Sequence, residues 1–497
     1  MSLTRQVAGG AVWLVAARIG GQVFGLASTV VVARFILPDD YGVFAAAMSV
    51  LMMVSVFAEL PVSQALIHLR DIREDDYDTA FTIGILRGGI LAVLMLILAT
   101  PLAAFMNEAR IAPVTAALGG YVALLGLRNP RLESFARDMD FSREALVEIC
   151  SKLASFIAAA ACAVLLKNYW ALVFGIIAAA LVQVILSFAV RPVMPRITLS
   201  SFNRLFSYSV WMAGSSILGQ IYQLIDTLAL GRLRGSAALG TYSIGSLLSA
   251  RISEVVAIPA SRSLFAAFSS IQSERERLQG AFLQSMTFMA ALLVPTLMTL
   301  IWFAEPIVLI VLGPQWETAI FVVELMAILM ITHIVYTPLM AMLMGLGYTQ
   351  TLFLRSLLFV IVYLPVAVLA VMRGGLEGLL IVKVSMILGL TLIDCLIVRH
   401  HLGISLHRQG YAVARPMIAG VAMAIIYLIA DGWVPHGHSV LSVGFPLAAI
   451  CAAGAASYLG TLLALWHIAG RPEGVEAKAL AALDQGLQRF GPAVLRR

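Results

Sequence analysis

Eleven ionisable side chains stand inside long apolar runs of this sequence, and each needs a reason to be there. Five are cations, Arg18, Arg87, Lys152, Arg251 and Lys383, and six are acids, Glu59, Glu148, Asp226, Glu254, Glu324 and Asp394. A charge at membrane depth costs at least about 2.5–3.5 kcal/mol, so it is expected to pair, to reach water or to meet a ligand. Glu148 and Lys152 are four residues apart and Arg251 and Glu254 three apart, so each pair shares a helix face. Asp226, Glu324 and Asp394 lie toward the ends of their runs and are expected to be paired or solvated. Arg18 and Arg87 have no acid three or four residues away on either side. Their counter-charge must come from another helix, with Glu59 the candidate, or from a ligand. A guanidinium suits an anion that presents paired oxygens, as a diphosphate does.

The elements that carry these groups are apolar runs of about 20 residues, the length that crosses a bilayer. Fourteen are expected, near 7–33, 41–67, 79–105, 112–129, 144–166, 168–190, 205–231, 239–265, 281–304, 318–346, 351–372, 376–398, 412–433 and 441–468. Gly119, Gly120 and Gly126 dilute the fourth. The composition agrees: 61% of residues are hydrophobic and 12% charged, against about 25% charged in soluble domains, and the mean hydropathy is +0.95. The run from Val7 to Ala33 is too long for a signal peptide and holds Arg18. The four cysteines, Cys150, Cys162, Cys395 and Cys451, have neither metal-ligand nor redox spacing.

Residues 12–66 fall on residues 210–264 after a shift of 198, with 13 of 55 positions identical and no gap. Trp13 lands on Trp211, Gln22 on Gln220, Arg34 on Arg232, Gly42 on Gly240 and Pro61 on Pro259. Such a repeat implies two pseudo-symmetric bundles of six helices with a site between them. The charges break the symmetry, because Arg18 aligns with Ser216, Arg251 with Met53 and Asp226 with Ser28. The expected division is a first lobe over 1–190, a linker over 191–204, a second lobe over 205–400, two further helices over 401–470 and a tail over 471–497. In the tail Leu480, Leu483, Leu487 and Phe490 recur at helical spacing among basic residues, as in a helix lying on a membrane surface.

Loop charges set the orientation. One set of alternate loops, with both termini, carries 22 Lys and Arg, whereas the other carries six, so both termini are expected in the cytoplasm. Trp170, Trp302, Trp316, Trp433 and Trp466 lie at or near span ends, as an aromatic belt requires. The positive charge is spread over many short loops, which argues against a nucleic-acid partner. No loop on the less basic side is long enough for the catalytic domain of a glycan polymerase or ligase. No G-x-x-x-x-G-K-[ST] phosphate loop occurs either.

Four segments carry a family resemblance. Ala33-Arg-Phe-Ile-Leu-Pro-Asp-Asp-Tyr-Gly42, then Phe57-Ala-Glu-Leu-Pro61 with Gln64-Ala-Leu-Ile67, Glu133-Ser-Phe-Ala-Arg-Asp-Met-Asp-Phe141 and Gly313-Pro-Gln-Trp316 resemble, in order and spacing, blocks of Wzx-type polysaccharide flippases. These form the polysaccharide branch of the multidrug/oligosaccharidyl-lipid/polysaccharide exporter superfamily. The resemblance implies an all-α integral membrane protein with two six-helix lobes in a V and two extra helices. It implies a bacterial inner-membrane flippase, not an enzyme, that turns undecaprenyl-diphosphate-linked oligosaccharide from the cytoplasmic to the periplasmic leaflet by alternating access. Its partners would be that lipid-linked glycan, membrane lipid and the polymerase and glycosyltransferases of the pathway, with no cofactor or metal. On this reading Arg18, Arg87 and Arg251 hold the diphosphate. Lys152, Lys383, Gln22 and Gln220 line the cavity, the glutamines being equally suited to interhelical hydrogen bonds. Asp226 and Glu59 are the candidates for coupling to a proton or sodium ion. The competing readings are a drug/cation antiporter of the same superfamily and a flippase for the peptidoglycan lipid precursor.

Overall fold

In lipid the backbone must satisfy its own hydrogen bonds, so apolar runs of this length fold as helices. The computed structural model describes residues 20–57 apart from 22, 23 and 26, then 66, 72–137, 141–430 and 440–471. Among these, every regular element is helical. The principal helices are α1 (Pro38–Phe57), α2 (Glu74–Met106), α3 (Ile111–Gly126), α4 (Phe141–Leu166), α5 (Trp170–Val190), α6 (Phe202–Ser270), α7 (Arg275–Trp302), α8 (Ala319–Met330), α9 (His333–Gly345), α10 (Thr349–Leu402), α11 (Leu406–Ala430) and α12 (Val440–Ile468). Residues 27–35 are also helical.

Seven described helices are long and apolar enough to span a membrane, and α8 with α9, bent by 49°, make an eighth candidate. The sequence expects fourteen crossings, and two long helices account for part of the difference. With 69 and 54 residues, α6 and α10 would measure about 100 and about 80 Å if straight, at ~1.5 Å per residue. That far exceeds a ~30 Å hydrocarbon core. Each is broken by a glycine outside helical geometry, Gly235 (φ 82°) and Gly375 (φ 62°). Both breaks lie where the sequence expects a turn between two spans, and both need the left-handed backbone that glycine adopts without strain. The amphipathic tail, Trp13 and Trp433 lie outside the described residues.

The chain divides into two compact units. The first comprises Met1–Ser243, Val311–Trp316 and Val360–Leu379. Here α2 packs on α3, α4 on α5, and α3 also touches α1 and α5. Two of the three glycines that dilute the fourth apolar run, Gly119 and Gly126, face α2 and form the α2–α3 seam with Gly84 and Gly88. A Cβ on Gly126 would lie 2.6 Å from the Gly84 carbonyl oxygen, and one on Gly88 3.0 Å from that of Val122. Small residues at four-residue spacing thus let two backbones touch. The turn after α2 is a Schellman motif, with Asn107 left-handed (φ 54°) and the Glu108 amide donating to Ala103 O. Arg110 hydrogen-bonds Glu108 and holds its carboxyl below the usual range, against the opposing effect of burial.

The segment expected as a linker is hydrogen-bonded to this unit. The Thr198 amide donates to Thr82 Oγ1, the Ser201 amide to Thr79 Oγ1, and Asn129 Nδ2 to Arg191 O and Val193 O. Arg191 and Arg143 both stack on the Phe135 ring, at 4.5 and 5.1 Å, so Phe135 ties α4 to the linker.

The second unit comprises Ile244–Ile310, Glu317–Phe359 and Leu380–Arg497. Its core is built where α7 meets α8, α9 and α11, and α11 meets α12. Phe282, Met289, Leu293, Phe303, Tyr427 and Tyr458 are buried in it. Gly454 accommodates the Tyr427 ring, whose hydroxyl lies 2.9 Å from Thr299 Oγ1.

Candidate functional site

The seam that joins α2 to α3 also aims Arg87. Gly84 and Gly88 face α3, so the residue just before Gly88 emerges beside the contact. There Arg87 lines a cavity of about 600 Å³ within the first unit, together with Tyr121, Arg128, Glu133, Gln183 and Gln220. The rest of the wall is largely apolar, from α1, α2 and α3. That volume falls within the ~300–1,000 Å³ typical of small-molecule sites.

Charge in the cavity is unevenly balanced. Arg128 Nη2 lies 2.8 Å from Glu133 Oε1, with side chains 33% and 12% exposed. Arg87 is half-buried, and no described carboxylate lies within ion-pair reach of it. The described lining thus carries one positive charge in excess. The amides of Gln183 and Gln220 and the Tyr121 hydroxyl add neutral donors and acceptors. Such a wall can bind an anion that also bears hydroxyl groups. Sequence reasoning singled out Arg87 and Gln220, and the structure brings these two together. It did not single out Tyr121, Arg128, Glu133 or Gln183. In sequence Arg128 reads as a loop charge that sets topology, and only the family-like segment starting at Glu133 carries a signal.

The other candidates are placed as follows. Arg18, Gln22 and Glu59 lie outside the described residues. Lys152 is exposed on α4, on the same face as Glu148, and both approach Gly21. Arg251 (exposed) and Lys383 (buried) belong to the second unit. Asp226 is fully buried rather than at a wet helix end. Its two oxygens accept the Tyr242 and Tyr363 hydroxyls, each at 2.6 Å, so α10 closes over it. Asp394 is paired, as expected for an acid near a span end, and its partner is Arg355, 2.7 Å away at Nη2. Trp316 corrects the aromatic-belt reading. It is fully buried, its indole donating to Ala33 O at 2.8 Å and its ring meeting Tyr41 edge-on. A belt tryptophan faces lipid, but this one seals a contact between chain segments.

Comparison with known proteins locates this architecture. A family model described as "Polysaccharide biosynthesis protein" matches residues 31–321. An uncharacterized membrane protein in the cps region of Klebsiella pneumoniae is 24% identical over 365 residues, covering 72% of this chain and 74% of the relative. The succinoglycan biosynthesis transport protein ExoT of Rhizobium meliloti is 24% identical over 423 residues, covering 83% and 84%. Among solved structures, the lipid II flippase MurJ in an inward closed conformation superposes with a TM-score of 0.73, at 12% identity, over 93% of this chain and 100% of that one. At that identity the likeness establishes the fold alone, an all-helical multi-pass membrane fold. The family model spans more than half of the chain and all four of the segments that carry the Wzx-type resemblance. The chain therefore belongs to the polysaccharide biosynthesis protein family of multi-pass membrane proteins.

Proposed function

We propose that the protein is a flippase that carries an undecaprenyl-diphosphate-linked oligosaccharide across the bacterial inner membrane, from the cytoplasmic to the periplasmic leaflet. The observation that carries this reading is Arg87, a cation at membrane depth in a 600 Å³ cavity with no described carboxylate beside it. An anionic headgroup supplies the missing counter-charge. The family match and the transport role in the name of the Rhizobium relative support the same reading.

In this mechanism the lobes over 1–190 and 205–400 rock about the site by alternating access. Arg87 and Arg128 hold the diphosphate, with Arg18 a further candidate from the same lobe; Arg251 is a separate candidate on the second unit. Tyr121, Gln183, Gln220 and Gln22 contact sugar, and Lys152 is a further basic group of the first lobe; Lys383 is a candidate on the second unit. The polyprenyl chain stays in lipid. With both termini cytoplasmic, outward movement of an anion follows an inside-negative potential, worth about 2.3 kcal/mol per charge per 100 mV. Asp226 and Glu59 are the groups for any proton or sodium coupling. The polymerase and glycosyltransferases of the pathway are the natural partners.

The test is Arg87→Gln in cells that depend on this protein for surface polysaccharide. Export is expected to fall at least about tenfold at normal protein level, with Arg87→Lys intermediate, since a point charge replaces a bidentate fork. Binding of undecaprenyl diphosphate to the purified protein should weaken in parallel, and binding of undecaprenyl monophosphate should change less. Normal export by Arg87→Gln would overturn the assignment.

A further inference from the structure

Three segments distant in sequence meet within the first unit: Ala33–Gly42, Gly231–Gly240 and Gly313–Trp316. The repeat shift of 198 relates Pro38 to Ser236 and Gly42 to Gly240. Those same four residues touch, and they do so reciprocally. A Cβ on Gly42 would fall on the Ser236 carbonyl and 3.0 Å from the Gly240 amide nitrogen. One on Gly240 would fall on the Pro38 carbonyl and 2.8 Å from the Gly42 amide nitrogen. The start of α1 and the part of α6 beyond Gly235 therefore cross backbone against backbone, an approach open only to residues without a Cβ.

Charge and aromatic contacts surround the crossing. The Ser236 hydroxyl donates to Asp39. Arg110 Nη2 lies 2.6 Å from Asp39 and 2.8 Å from Glu108, and its Nη1 lies 3.3 Å from Asp40. On another side, Gln315 Nε2 and Trp316 Nε1 both donate to Ala33 O, at 2.7 and 2.8 Å. Arg110 shares its loop with Glu108, so it keeps a counter-ion when Asp39 and Asp40 move away. The two aspartates sit in the first turn of α1, where the helix dipole favours them without Arg110. The crossing can thus part without stranding a charge.

We propose that this crossing is the exit gate of the transporter, a latch that must open before cargo leaves on the face opposite the cytoplasm. It rests on the flippase reading and on the orientation taken there.

The experiment replaces the four native cysteines by alanine and pairs Asp39→Cys with Ser236→Cys. Copper phenanthroline is expected to join them, to abolish polysaccharide export, and to do so reversibly with dithiothreitol. Unchanged export with the disulfide fully formed overturns the gate, and failure of the disulfide to form overturns the crossing. A second measurement needs no substrate, so it separates the gate from the flippase reading. Ser236→Cys alone should react with a membrane-impermeant maleimide from outside about tenfold faster when Gly42→Ala or Gly240→Ala props the crossing apart. Equal labelling rates with and without the alanine overturn the proposal.

Discussion

Arg355 and Asp394 form a tight pair inside the second unit, with side chains 10% and 2% exposed. The guanidinium also stacks on the Tyr336 ring at 4.8 Å. Removing one partner of a buried pair strands the other charge, at a cost of about 3–5 kcal/mol. Arg355→Met is therefore expected to lower the thermal midpoint of the purified protein strongly, and adding Asp394→Leu should recover much of the loss. A cycle in which the double variant is no better than the single would deny that the pair acts as a unit. The same pair shows what the sequence discloses at this scale. Asp394 stood out because it interrupts an apolar run, but its partner did not, since Arg355 begins a span and reads as an ordinary boundary charge. Arg87 was legible for the opposite reason: no local acid explains it. Arg128 and Glu133 were hidden because a residue five positions after an arginine is in helical reach only if the intervening chain turns, and Pro130 begins a short 3-10 turn that no periodicity announces.

At the scale of elements, the packing of α2 on α3 depends on positions where nothing but hydrogen fits. Gly126→Val would drive a side chain into the Gly84 carbonyl, and overpacking of this kind costs about 1–3 kcal/mol. Gly120 has open space where its Cβ would go, so Gly120→Ala is the neutral control from the same helix. Unfolding monitored in detergent should separate the two variants, and equal stability would mean that the seam tolerates widening. In sequence these glycines read as dilution of an apolar run, because hydropathy scores solvent preference and is blind to how closely two helices approach. Turns were easier to see. The breaks at Gly235 and Gly375 coincide with interruptions of apolar character, and one of them is tied down by Arg234, which donates to Val371 O and Met372 O. The linker was legible as a connection but not as a fixed one, since its anchors are threonine hydroxyls on α2 and the Asn129 side chain.

For the whole molecule, the topology predicts which surfaces meet which solution. Single cysteines at Ser200, in the linker, and at Glu317, before α8, are both exposed. On intact cells an impermeant maleimide should label Glu317→Cys, and it should label Ser200→Cys only after permeabilisation. The reverse pattern would invert the orientation drawn from loop charge. Membership of the family was legible from short motifs whose physical meaning was not. Read separately, residues 33–42 are a connection between the first two spans and residues 313–316 the start of a later one. The structure explains why both carry distinctive residues: the second donates two hydrogen bonds to the first.

The reciprocal contact of Pro38 with Ser236 and Gly42 with Gly240 has a bearing on ancestry. When residue i of one copy meets residue j of the other, and j meets i, the arrangement is that of a two-fold homodimer. A fused duplication inherits it only if the unfused ancestor already paired with itself through the same glycine. The crossing would then be older than the single chain that now contains it, the relic of an association between separate subunits.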